Sequence, residues 1–292
     1  MSAANRAGVQ TSAQEQPPTS TLKAVGRAAV VALYDELALE PKPGLVSFAD
    51  SGSHDDMDAR TLLRSLFSLR LYFPRLAALG AAGAGFELLE REGIAAEARM
   101  LAATGGINTH RGAIFCLGLL CASAGALAAR GVAPSPAALR RALTACWGPA
   151  LCERALRCGP AHGAVAARRF GLRSAGGEAA LGFPVLFETT LPALLSTQQR
   201  GGAPREARLQ ALFETMAVLE DTNLAHRGGL GGVRHGQRAA RAWLTAGGAL
   251  RPDAVRHARA VHADFVARRL SPGGAADMLA AACWAQRVCG PA

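Results

Sequence analysis

Between Arg111 and Arg130 the chain runs without a charge, from Gly112-Ala113-Ile114-Phe115-Cys116-Leu117 to Ala129. A segment of that kind has two possible homes. It sits at the lower limit of a bilayer-spanning helix, which needs roughly 18 or more apolar residues. It also suits a helix sealed on all sides by other helices. Its content favours the second home, because Gly, Ala, Ser and Cys outnumber Leu and Ile and the polar run Asn108-Thr109-His110-Arg111 feeds directly into it. A central buried helix, not a membrane span, is therefore expected.

The rest of the chain suits helices packed round such a centre. Val, Ile and Thr are sparse and aromatics are 5%, which disfavours a large sheet. With 292 residues, 50% of them hydrophobic and 18% charged, the chain can bury a sizeable core. The expected fold is all-α, a single globular domain of about ten helices over residues 21–292. A polar tail over 1–20, with Pro17-Pro18 in it, is expected to be disordered.

Local signals set the helix ends. A helix from 22 to 39 stops at Pro41 and Pro43. A second starts at Asp58, a good N-cap, and is read through Tyr72 to Gly80. A third covers 86–103 and breaks at Gly105-Gly106. Ser135-Pro136 opens a short helix to Cys146. Helical pieces then break at Pro160, Gly171, Gly176-Gly177 and Phe183-Pro184. Helices over 205–219, 233–245 and 253–269 follow, and a last one begins after Ser271-Pro272-Gly273-Gly274.

The formal net charge is +10, and with Lys only at 23 and 42 the positive charge is almost all Arg. That balance fits a nucleic-acid partner, a small polyanion such as a nucleoside triphosphate held by forked guanidiniums, or plain compositional bias. The seven Cys include no C-x-x-C pair, and no basic segment followed by an apolar run opens the chain. Reduced thiols in a cytoplasmic protein are expected.

Four loops carry the chemistry. Gly52-Ser53-His54-Asp55-Asp56-Met57-Asp58 sets three carboxylates at a helix entrance, which reads as capping or as oxygen donors for Mg²⁺. Gly105 to Gly112 places Asn108, His110 and Arg111 at the start of the buried helix, which reads as capping or as a phosphate site. Glu220 to Gly229 packs two acids, an amide, a His and an Arg before paired glycines, more polar variety than a turn needs. Ser271 to Asp277 opens the last helix with two glycines that can wrap a phosphate. His162 and His235 have nothing specific around them and are given no role.

Together these blocks resemble the triphosphoribosyl-dephospho-CoA synthases, in order and over nearly the whole chain after the tail. The residues that carry the resemblance are Glu40 to Val46, Gly52-Ser53-His54 with Asp56-Met57-Asp58, Asn108 to Phe115, Gly177-Glu178-Ala179 with Gly182-Phe183-Pro184, Asp221-Thr222-Asn223 with His226 to Gly229, and Ser271 to Gly274 with Ala276-Asp277. Arg111 stands where the family often has Lys, and Gly176 where an Arg precedes Gly177-Glu178, so Arg173 is the candidate to supply that charge. The stretch Leu45 to His54 looks like the branch serving malonate decarboxylase rather than citrate lyase.

The resemblance implies glycosyl transfer. The ribose 2′-hydroxyl of 3′-dephospho-CoA attacks C1′ of ATP, adenine leaves, and the triphosphate stays attached. The product is a prosthetic-group precursor that another enzyme passes to an acyl carrier protein. Asp221 is the first choice to take the hydroxyl proton and Glu178 the second. His226 or His110 would help adenine depart. Asp56 would hold Mg²⁺, with Lys42, Arg111 and Arg227 as phosphate clamps. Asn108, Asn223, Gly228, Gly229, Ser271, Gly273 and Gly274 complete the expected substrate contacts. A metal-dependent hydrolase of ATP or ADP-ribose-like compounds would use the same residues, with water as the acceptor. An RNA-binding helical protein has only the charge in its favour, so no nucleic-acid partner is expected.

Overall fold

The structure, a computed structural model, describes residues 17–157 and 162–290. Most of the expected tail, Cys158 and the break at Pro160 lie outside those residues. The described residues form thirteen α-helices and no strand. In chain order these are α1 (Thr19–Ala38), α2 (Ala59–Ser68), α3 (Tyr72–Ala81), α4 (Phe86–Thr104), α5 (Arg111–Ala128), α6 (Pro136–Leu156) and α7 (His162–Phe170). Then come α8 (Ala175–Ala180), α9 (Leu191–Gln199), α10 (Pro204–Val218), α11 (Thr222–Thr245), α12 (Ala254–Ala267) and α13 (Gly273–Cys289). The all-α expectation holds.

Helix α5 is the buried centre, enclosed by α1, α3, α4, α6 and α13. Its small residues explain how it is enclosed. A Cβ on Gly125 would lie 1.9 Å from the Ala77 carbonyl, and one on Gly80 would lie 1.9 Å from the Ala122 carbonyl. The backbones of α3 and α5 therefore touch, a closeness that larger side chains would forbid. Tyr72 crosses the same seam and donates its hydroxyl to the Ile114 carbonyl at 3.1 Å. On another side, the Trp284 indole of α13 donates to the Val25 carbonyl of α1 at 3.1 Å.

Four readings of the elements differ from the sequence, one being the expected break at Gly176-Gly177, which lies inside α8 because Ser174 caps that helix at Gly177 N. The helix expected from Asp58 to Gly80 is two, α2 and α3, broken at 69–71. The break puts Pro74 in the first turn of α3, where its missing N–H costs nothing. Helix α6 does not stop near Cys146 but runs through Pro149 to Leu156, because it buries Trp147 and Leu151. Burial there outweighs the one backbone bond that proline removes. Helix α11 starts at Thr222, not 233, and is kinked at Gly229, whose φ of 60° and ψ of −161° are open essentially to glycine alone. The caps at Asp58 and Ser135 are as expected, accepting from Thr61 N at 2.8 Å and Ala138 N at 3.2 Å.

Candidate active site

A helix start carries unpaired backbone N–H groups and the positive end of the peptide dipoles. Four such starts, those of α5, α8, α11 and α13, meet at one cleft of about 250 Å³. Gly112, Ser174 with Ala175, Asp221 with Thr222, and Gly274 line it. Four carboxyls, Glu178, Glu220, Asp221 and Asp277, share the lining with Arg173 and an apolar wall that includes Phe115, Phe183 and Met278. Such a cleft combines the field of the helix starts with acids for proton transfer and apolar surface for a ring.

Asp221 is 2% exposed and serves two helices. Its Oδ1 accepts from Asn223 N at 2.8 Å and Leu224 N at 3.2 Å, capping its own helix. Its Oδ2 accepts from Ala275 N of α13 at 3.0 Å, with Gly274 N–H beside it. Pro272, at the N-cap of α13, has no side-chain acceptor, so Asp221 fills that place from another element. These donors use the acceptor sites of both oxygens. Burial nevertheless pushes its pKa above the usual carboxylate range, against the pull of those N–H groups. Gly274 has to be small here, since a Cβ would stand 3.0 Å from Asp221 Oδ2.

Glu178, 6% exposed, accepts from Val185 N at 2.7 Å and from Arg173 Nη1 at 3.0 Å. Each oxygen has one donor, so each retains a free acceptor site. Arg173 thus meets the charge of Glu178 across one turn, in place of the Arg absent at Gly176. Asp277 was quoted in a motif but given no role in the sequence. It reaches the start of α5, within reach of the Ala113 N–H and so close to Gly112 that a Cβ there would lie 1.9 Å from Oδ2. Its signal in the sequence was the conjunction of a Gly at 112 and an Asp one turn into the last helix.

The structure gives several predicted residues other surroundings. Lys42 is no surface clamp: it is 1% exposed and donates to Glu36 Oε1 at 2.6 Å and the Glu36 carbonyl at 2.8 Å. His110 is buried, its Nδ1 2.6 Å from Ser65 Oγ and its Nε2 without a partner. Desolvation, helped by Lys42, drops its pKa to about 4. His226 lies outside the cleft lining, exposed and stacked on His162 with ring centroids 4.3 Å apart. Asn108 is exposed and its Oδ1 accepts from Arg111 N at 3.3 Å, while Arg111 pairs with Glu97 at 2.8 Å.

Arg227 straps three segments together, donating to the carbonyls of Ser53 at 2.9 Å and Arg269 at 3.1 Å and lying 3.0 Å from His54 Nδ1. Ser271 Oγ meets His54 Nε2 at 2.9 Å, which ties the acidic loop to the start of α13. Gly273 packs on Asn223, and Gly228 on Leu270. Asp56 is largely exposed, 3.6 Å from His54 Nδ1 and next to Asp55. Among the described residues no three His, Cys, Asp or Glu side chains form a metal cage. Exposed Asp56 and Asp55 fit the other mode of Mg²⁺ binding, one or two carboxylates and a phosphate-borne ion.

Fold and cleft together describe an all-α protein in which acids and helix starts share one cleft. A family model described as ATP:dephospho-CoA triphosphoribosyl transferase matches residues 22–291. The chain is 41% identical over 272 residues to a protein of Stutzerimonas stutzeri named "Probable 2-(5''-triphosphoribosyl)-3'-dephosphocoenzyme-A synthase", covering 89% of this chain and 90% of that one. A protein of the same name from Azotobacter vinelandii is 40% identical over 281 residues, covering 93% and 94%. No solved structure matches. The chain therefore belongs to the ATP:dephospho-CoA triphosphoribosyl transferase family, and it is a transferase.

Proposed function

We propose that the protein moves the 5-triphosphoribosyl group of ATP onto the ribose 2′-hydroxyl of 3′-dephospho-CoA, releasing adenine, in the cleft described above. The observation that carries this reading is the convergence of four helix starts on a cleft with four carboxyls, Glu178, Glu220, Asp221 and Asp277. The guanidinium of Arg173 and the field of the helix starts suit a triphosphate. The apolar wall suits a purine or the acceptor's adenine.

Glu178 is the better base for the 2′-hydroxyl proton, because it retains acceptor sites and Asp221 has given its own to backbone N–H groups. Asp221 then positions the starts of α11 and α13. Asp56, with Asp55, would hold Mg²⁺ on the triphosphate, and the ion would neutralise phosphate charge. We assign the product to the malonate decarboxylase branch on the stretch Leu45 to His54. There it would be the precursor that another enzyme loads onto the acyl carrier protein, in the cytoplasm.

Incubation with ATP, Mg²⁺ and 3′-dephospho-CoA, followed by mass spectrometry, tests this. Free adenine and a triphosphoribosyl adduct of dephospho-CoA are expected in equal amounts. Adenine released as fast without dephospho-CoA would indicate a hydrolase. ADP or AMP without adenine would contradict glycosyl transfer altogether.

A further inference from the structure

We infer that Asp277 is the acid that delivers a proton to the departing adenine, an inference that rests on the glycosyl-transfer reading above. Asp277 lines the same cleft as Glu178 and remains partly accessible there, on the second turn of α13. The two histidines that could do this work are elsewhere. His226 stacks on His162 outside the cleft lining, and His110 is buried beside Ser65.

Among the described residues, Asp277 differs from Glu178 in having no counter-charge, and from Asp221, which also has none, in that its oxygens are not taken up by the N–H groups of two helix starts. Glu178 has Arg173, and Asp35 has Arg208 and Arg287, but no cation pairs with Asp277 among the described residues. Its one neighbouring donor is the Ala113 N–H, and a carboxyl has room for more than that. A carboxyl short of water and without a cation holds its proton more tightly. Burial accordingly pushes Asp277 well above the usual carboxylate range, with Asp221 and Glu36 adding to the effect. The cleft thus offers an ion-paired carboxylate to accept a proton and an unpaired carboxyl placed to give one, an acid–base division set by environment.

The step balances. The C1′–N9 bond of ATP breaks and its electron pair goes to the adenine. The carboxyl proton of Asp277 goes to a ring nitrogen, N7 or N3, so adenine leaves neutral. The 2′-oxygen of dephospho-CoA forms the new bond to C1′, and its proton goes to Glu178. Glu178 ends protonated and Asp277 ionised, and solvent exchange restores both.

The competing account makes Asp277 only a cap for α5. Asp277→Asn separates the two, because it keeps an acceptor for Ala113 N–H while losing the acid. Adenine-type release is compared for ATP and for its N7-methylated analogue, whose cationic base leaves without a proton, each corrected for non-enzymatic decay. Wild-type turnover of ATP to the adduct first establishes the underlying reaction, and failure there sinks the parent reading rather than this one. The acid role predicts a loss of about 10²-fold or more on ATP and a loss within about tenfold on the methylated analogue. Equal losses on both substrates, or full activity on ATP, would overturn the proposal. Should the Asn variant not fold by circular dichroism, Asp277→Ser is read in the same comparison.

Discussion

Asp221 shows how far a residue's surroundings can differ from what its loop suggests. An acid in a polar, glycine-ended loop suggests a base. Its oxygens in fact satisfy N–H groups at two helix starts that are far apart in sequence. Asp221→Asn puts an NH₂ donor against one of those N–H pairs, and it should destabilise the fold by about 1–3 kcal/mol in urea denaturation. Unchanged stability would remove the capping account. The caps at Asp58 and Ser135 were legible because their partners lie three residues away. The one made by Asp221 on α13 was not, because no local spacing encodes it. His110 gives a second prediction at this scale. Its folded pKa of about 4 lies below the ordinary value of 6.5, so between those pH values the unfolded chain binds a proton that folded His110 refuses. Stability should therefore fall as the pH drops through that window, by on the order of 3 kcal/mol from this residue. His110→Gln should lose less stability than the wild type between about pH 7.5 and about pH 5. An identical loss in both would mean His110 titrates normally.

Among the helices, the seam between α3 and α5 fixes where the cleft can be. The start of α5 carries Gly112, which Asp277 touches, and α5 is held by backbone contact at Gly80 and Gly125. Gly125→Val would force the two helices apart, since even a Cβ has no room there. We expect a loss of about 3 kcal/mol or more in denaturant unfolding. Tolerance of that change would mean the seam is looser than described. The central helix itself was readable from its uncharged run between Arg111 and Arg130. The break before α3 and the passage of α6 through Pro149 were not, because each depends on what the helix packs against. A proline weakens a helix locally, and tertiary burial decides whether the helix survives it.

Across the whole molecule, motif blocks spread from Glu40 to Asp277 fall into linked neighbourhoods: the cleft, and the strap of His54, Arg227 and Ser271 beside the start of α13. Order and identity of the blocks were legible in the sequence, and so was the family. Which acid has a free acceptor site was not, since that depends on backbone donors from other helices. The most direct measurement of this account is single-turnover adenine release by Glu178→Gln at saturating ATP and 3′-dephospho-CoA. With Glu178 as the base, the rate should fall by about 10²–10⁴-fold while ATP binding stays near the wild-type value. A wild-type rate of adenine release from that variant would contradict it.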